Sequence, residues 1–391
     1  MKHATSCSCE TLGASFQETV EKLDTKLRII SDVWRNFIME YPKCRNEINF
    51  SKQEQSSYFC DILGYFHDTL ELIFGEKKHS GFASHISLLQ AIYIQQDFIE
   101  EMLLIFKIRP TKKDLKENPN YSINRNIRNE LVGHPIRKID GKIKSSSLYG
   151  YNSTDKIICY LRYREENNFE FEKVEVQIED ILKRHFELIS EYFDLIINKL
   201  QIILEKFKTP LNYIKDSSSK ISFESLLKLI ANDFPDFLKN TQLYDSNTIV
   251  KIFEKRKEHR RYKIVYNQFM KDLVECLDDK ILYCDNVFRT QIISDNFVPK
   301  VPLIVFSENG EISTVKTPKK RGRRKNEYHY ELGKLATKIS HSDFEFYSGF
   351  LKAKCKNKIV LAELDRMEKN IHNKLEYLCS ERLIRRILKE D

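Results

Sequence analysis

The stretch IEDILKRHFELISEYFDLIINKLQIILEKF, running from Ile178 to Phe207, decides the fold class. Its residues Ile178, Leu182, Phe186, Ile189, Phe193, Ile196, Leu200 and Ile203 recur at steps of three and four, which places them on one face of a helix of about eight turns. Three upstream stretches repeat the pattern. Phe16, Val20, Leu23, Leu27, Ile30, Trp34 and Phe37 form the first, and Phe59, Ile62, Phe66, Leu70 and Ile73 the second. Leu88, Ile92, Gln95, Ile99, Met102 and Phe106 form the third. Each helix must bury its apolar stripe against another, so the four together predict a bundle over residues 10–208, closed before Pro210.

Composition agrees with a mostly α protein. Among 391 residues there are only 11 Gly and 9 Pro, with 41% hydrophobic and 31% charged residues, so breakers are scarce and core-forming residues ample. Collagen-like, low-complexity and wholly disordered classes are excluded. The length suits roughly two to three domains. The segment 209–222, with Pro210 and SSSK, reads as a linker, and 223–391 as a mainly helical, basic C-terminal domain. Helical patterns there cover 223–238, 247–279, 328–338 and 361–388, with a strand-like VPLIVF at 301–306.

Between the third and fourth bundle helices, Ile157, Cys159, Leu161 and Tyr163 alternate with more polar residues, and Phe169, Phe171, Val174 and Val176 follow a Glu-Glu-Asn-Asn turn. This predicts a β-hairpin inserted in the bundle at about 146–176, with a bulge in its second strand. The nine cysteines are odd in number and never spaced as CxxC, which fits a reduced compartment better than disulfides or zinc. No apolar signal stretch follows MKHATSCSCETLG, and Gln95, Gln96, Asp97, Glu100 and Glu101 interrupt the most apolar helix. A cytoplasmic protein without a membrane partner is expected. P-loop, GxGxxG, GxSxG and HExxH motifs are absent.

The chemistry concentrates in YSINRNIRNELVGHPIR, Tyr121 to Arg137. Arg128 is followed by Asn129 and, after five intervening residues, by His134. Gly133 and Pro135 bracket the histidine, so the helix carrying Arg128 should end there and leave His134 free to turn back. Imidazole titrates nearest neutral pH, as a base for a 2'-hydroxyl must, and a guanidinium fork can meet two oxygens of a phosphorane-like transition state. Asn129 is expected to orient the phosphate or the imidazole. The segment holds no carboxylate cluster, so neither a metal nor a cofactor is expected. From Arg109 to Lys144 ten Lys/Arg stand against four Asp/Glu, which favours an anionic ligand, with Arg125, Arg137 and Lys138 as candidate phosphate contacts.

Arg128, Asn129 and His134 resemble the R-X(4 to 6)-H signature of the HEPN superfamily, in which a polar residue, often Asn, follows the arginine. The resemblance implies a four-helix bundle and a ribonuclease of the toxin, abortive-infection or CRISPR-associated kind. It also implies 2',3'-cyclic phosphate and 5'-hydroxyl products, and a homodimer that pairs two motifs. An antitoxin, regulatory ligand or defence-system partner would restrain such an enzyme. Two other Arg/His pairs share the bare spacing, Arg323 or Arg324 with His329 and Arg366 with His372, but lack the flanking Asn.

A second basic feature is PKKRGRRKN, with Lys319, Lys320, Arg321, Arg323, Arg324 and Lys325. It resembles an AT-hook core in which Arg324 replaces the usual Pro. The preferred expectation is a polycationic loop that gathers RNA; the alternatives are a solubilising loop, a localisation signal and a DNA-binding regulator. KRKEHRRYK at 255–263, with Tyr266 and Phe269, reads as an exposed helix side or, less favoured, as an RNA-stacking surface. A non-catalytic helical protein that binds nucleic acid or a partner is the main rival to the ribonuclease.

Overall fold

The computed structural model describes residues 8–49, 58–74, 81–109, 112–149, 152–239, 244–289, 304–306, 312–314, 328–337 and 340–388. The chain is mostly α, with a small antiparallel sheet, and divides into two compact units: Met1–Phe207 with Cys284–Thr290, and Lys208–Tyr283 with Gln291–Asp391. No helix among the described residues is long and apolar enough to cross a membrane.

In the first unit the four long helices appear where the apolar spacing places them: α1 (Ser8–Val33), α3 (Tyr58–Phe74), α4 (Phe82–Ile105) and the start of α7 (Ile178–Ser217). The short helices α2 (Pro42–Arg45), α5 (Lys112–Glu117) and α6 (Pro119–Arg128) join them. The core is aromatic. The buried Trp34 ring lies 3.9 Å from Phe59, Phe66 5.1 Å from Phe193, and Phe37 5.8 Å from Phe207. One polar chain crosses it: a His185 ring nitrogen bonds Gln95 Oε1 at 2.8 Å, and Gln95 Nε2 donates to Thr69 Oγ1 at 2.8 Å. Gln95, on the apolar stripe of α4, is therefore a satisfied core amide.

The expected linker is corrected: α7 runs through Pro210 to Ser217, leaving only 218–222 outside a helix. Proline costs a helix one hydrogen bond, but Leu211 and Ile214 just beyond it are fully buried, and that burial outweighs the local loss.

The hairpin is present but is half of a larger sheet. Strands β1 (Ile136–Ile139), β2 (Lys142–Leu148), β3 (Ile157–Arg164) and β4 (Phe171–Gln177) form an antiparallel meander in the order β1-β2-β3-β4. The β3–β4 register runs unbroken from Tyr163↔Phe171 to Ile157↔Gln177, so the expected bulge is absent. Phe169 lies in the turn and not in the strand, at a φ of 60°.

The second unit holds the helices α8 (Phe223–Asp233), α9 (Pro235–Lys239), α10 (Ser246–Lys255), α11 (Arg260–Asn286), α12 (His329–Ala336), α13 (His341–Lys354), α14 (Lys358–Lys369) and α15 (Lys374–Leu388), and the strands β5 (Ile304–Phe306) and β6 (Ile312–Thr314). Three expected helices are each broken in two, at 234, at 256–259 and at 370–373. At the last break Asn370 N–H bonds back to Arg366 and Met367 and ends α14, so Arg366 and His372 do not share a continuous helix. The aromatic and cationic run at 255–263 is divided: Lys257, His259, Arg260 and Lys263 are exposed, as the favoured reading expects, while Arg261 and Tyr262 turn inward. Arg261 is buried in a bidentate pair with Glu363, at 2.7 and 3.0 Å, and Tyr262 donates to Glu376 at 2.6 Å. Phe269 is fully buried, so neither it nor Tyr262 offers a ring face for stacking.

Candidate active site

Helix α6 is specified at both ends. Asn118 caps it by accepting from Asn120 N–H at 2.9 Å, and Pro119 fills the first position, where an N–H would go unused. At the other end the backbone widens into a π-turn over Asn129–Gly133, closed by His134 N–H donating to Asn129 O at 2.7 Å. Pro135 bars its predecessor from helical geometry, and His134 accordingly sits at φ −142°, ψ 62°. The helix thus ends where Gly133 and Pro135 predict, and His134 is exposed.

Arg128 lies against α4 and is half-buried, not exposed as a free surface cation would be. Its Nε and Nη2 donate to Gln90 Oε1 at 3.2 and 3.0 Å, and its Nη1 to Asn129 Oδ1 at 3.1 Å. The guanidinium carbon stands 3.8 Å from the centre of the Tyr93 ring. Gly133 passes close to it: a Cβ there would come within 2.5 Å of Nη1. All these partners are neutral, and among the described residues Arg128 has no carboxylate partner. A fixed, half-desolvated cation without a counter-ion is a ready site for an anion.

Asn129 connects the two ends of the motif. Its side-chain oxygen holds Arg128 and its backbone oxygen holds the His134 N–H, so one residue fixes the guanidinium and the main chain that carries the imidazole. Glu130, next along, anchors the turn to the sheet. It takes two bonds from Arg162, at 2.6 and 3.0 Å, one from Ser146 at 2.9 Å and one from Tyr160 at 3.2 Å. Burial would raise the Glu130 carboxyl, but these donors outweigh it and hold the carboxyl below its ordinary value. The sequence did not mark Gln90, Tyr93, Gly133 or Glu130 for these roles.

Arg125 is corrected. Its Nη2 bonds Asp97 at 2.8 Å, Nη1 lies 3.6 Å from Glu100, and the guanidinium stacks on Tyr93 at 4.1 Å. It is a structural ion pair that shares the Tyr93 ring with Arg128, and not a phosphate contact. Arg137 and Lys138 stand on β1 immediately beyond His134, and neither has a carboxylate partner among the described residues. Lys319, Lys320, Arg321, Arg323, Arg324 and Lys325 lie outside the described residues.

Among the described residues, His341, Glu345 and Glu368 bring three possible metal-ligand atoms within 4.8 Å of one another. His341 also pairs with Glu345 and Lys352 with Glu368, so ordinary ion pairs account for the group. Five described cysteines, Cys44, Cys159, Cys276, Cys355 and Cys379, are free thiols. Compared with family models, with curated proteins and with solved structures, the chain matches none of them.

Proposed function

We propose that this chain is a metal-independent endoribonuclease of HEPN type, acting in the cytoplasm as a toxin or antiviral effector. The observation that carries the reading is the pairing of an uncompensated, rigidly held Arg128 with an exposed His134 through Asn129. A phosphodiester supplies the missing negative charge. Arg128 takes the non-bridging oxygens, whose charge grows as the 2'-oxygen attacks, and His134 accepts the 2'-hydroxyl proton. The 5'-oxygen then leaves with a proton, giving a 2',3'-cyclic phosphate and a 5'-hydroxyl. Arg137 and Lys138 extend the cationic track beyond His134. One imidazole cannot readily serve as both base and acid in one step, so a second copy of the motif across a homodimer is the source assigned to the acid.

Cleavage assays on purified Arg128→Ala and His134→Ala test the reading. Each should lose RNA cleavage while keeping its circular dichroism spectrum, and Asn129→Ala should lose less. Wild-type cleavage by either of the first two overturns the site.

A further inference from the structure

The Glu130 bonds to Ser146, Tyr160 and Arg162 identify which face of the sheet turns toward the helices. The opposite face is unlike an ordinary solvated sheet. Register places Ile136, Ser145, Tyr163 and Phe171 in one line across all four strands, a distance of about 14 Å at the usual strand spacing. Ile136 is 78% exposed and Phe171 66%, and Phe169 from the neighbouring turn is 51% exposed. The Tyr163 ring lies 5.5 Å from each of Phe169 and Phe171. The line begins two residues from His134.

Phe169 is held there against its backbone preference. Asn168 and Phe169 both have left-handed φ values, 52° and 60°, a region that Asn tolerates and a bulky ring does not. Strain of this kind persists where the surroundings or a function require it.

We propose that this face is a stacking platform for the unpaired bases of a single-stranded RNA whose scissile phosphate sits at Arg128 and His134. The proposal rests on the ribonuclease reading and adds to it the substrate class. Aromatic faces on a four-stranded sheet stack bases without regard to sequence. Charge selects RNA over a second copy of this chain. Within β1 and β2, Arg137, Lys138, Lys142 and Lys144 face only Asp140 between the strands. Lys142 and Lys144 pair with Glu165 and Glu166, which leaves Arg137 and Lys138 unneutralised. Along β1, Lys138 shares the face of Ile136 while Arg137 alternates to the other side, so two copies meeting by this face would bring their unneutralised Lys138 cations together, whereas a nucleic acid strand offsets them.

The test is equilibrium binding of a fluorescein-labelled oligouridylate, in EDTA, to the full chain carrying His134→Ala, alone and with Phe169→Gly, Phe171→Ala or both. Each ring lost should raise Kd on the order of 5- to 100-fold, while a matched abasic oligomer binds all variants alike. Phe169→Gly should keep or raise Tm, because glycine accepts the left-handed backbone, so weaker binding would not reflect misfolding. Unchanged Kd overturns the platform, as does an equal loss for uridylate and abasic strands. Dissociation of a dimer by Phe171→Ala in ultracentrifugation also overturns it, by assigning the face to self-association. Cleavage is scored separately: ring-dependent uridylate binding by a protein that cuts no RNA sustains the platform and removes the ribonuclease reading. Cleavage with an unchanged KM in the Phe169 and Phe171 variants does the reverse.

Discussion

Gly133 gives the sharpest residue-scale test of the site. The atoms nearest the space above its Cα belong to the Arg128 guanidinium and the Asn129 amide, and the guanidinium is the far end of a flexible side chain. Gly133→Ala should therefore displace Arg128 while changing stability by less than about 1 kcal/mol. A displacement on the ångström scale should lower kcat/KM on the order of 10- to 100-fold. Steady-state cleavage alongside a denaturant melt checks both halves, and a destabilised but fully active variant would contradict the role given to Arg128. The motif residues themselves were legible because Arg128, Asn129 and His134 are close in sequence and the Gly133–Pro135 frame forces a turn. Gln90 and Tyr93 were not legible, since they reach Arg128 from another helix and look like ordinary positions of α4. Arg125 looks like a free cation in the sequence for the same reason: its carboxylates, Asp97 and Glu100, are distant along the chain.

Among the elements, the π-turn and the sheet depend on one carboxylate. Removing Glu130 would leave Arg162, which is largely buried, with only Tyr160 and the more distant Glu172 to balance it. Glu130→Ala should cost about 2–3 kcal/mol in urea unfolding, and Glu130→Gln, which can still accept from Ser146 and Arg162, should cost less. Equal, negligible losses would mean that the sheet is held by its apolar contacts alone. Long helices were readable because their apolar stripes persist over many turns. Strands β3 and β4 were readable by alternation, but β1 and β2 were hidden in a basic segment: IRKI and KIKSSSL offer few large apolar residues to alternate. Pro210 reads as a helix stop because sequence shows its local cost and not the burial of Leu211 and Ile214 that overrides it.

At the scale of the whole molecule, the two units should respond differently to acid. In the first, burial pushes His185 down to about 3 from 6.5, so the unfolded chain binds this proton before the folded one does. Stability conferred by neutral His185 is complete above pH 6.5 and falls as pH drops toward 3, by up to about 1.4 kcal/mol per pH unit. In the second, burial would raise Glu376, but bonds from Tyr262, Arg366 and Lys255 bring it to about 2 from 4.5. That contribution is complete above pH 4.5 and is lost as pH falls toward 2. Hydrogen exchange along an acid series should therefore show the first unit loosening at higher pH than the second; simultaneous loosening only below pH 4.5 would contradict the His185 assignment. The proposed dimer is testable by mixing: inactive His134→Ala chains should depress wild-type activity, and a monomer fully active at assay concentration would require the second catalytic group to lie within one chain. Incubating the purified protein with total RNA in EDTA and mapping the cut ends tests whether the Arg128–His134 site cleaves RNA. The wild type should leave 2',3'-cyclic phosphate and 5'-hydroxyl ends and His134→Ala none; no cleavage, 5'-phosphate ends, or the same cuts from both proteins would rule the ribonuclease out.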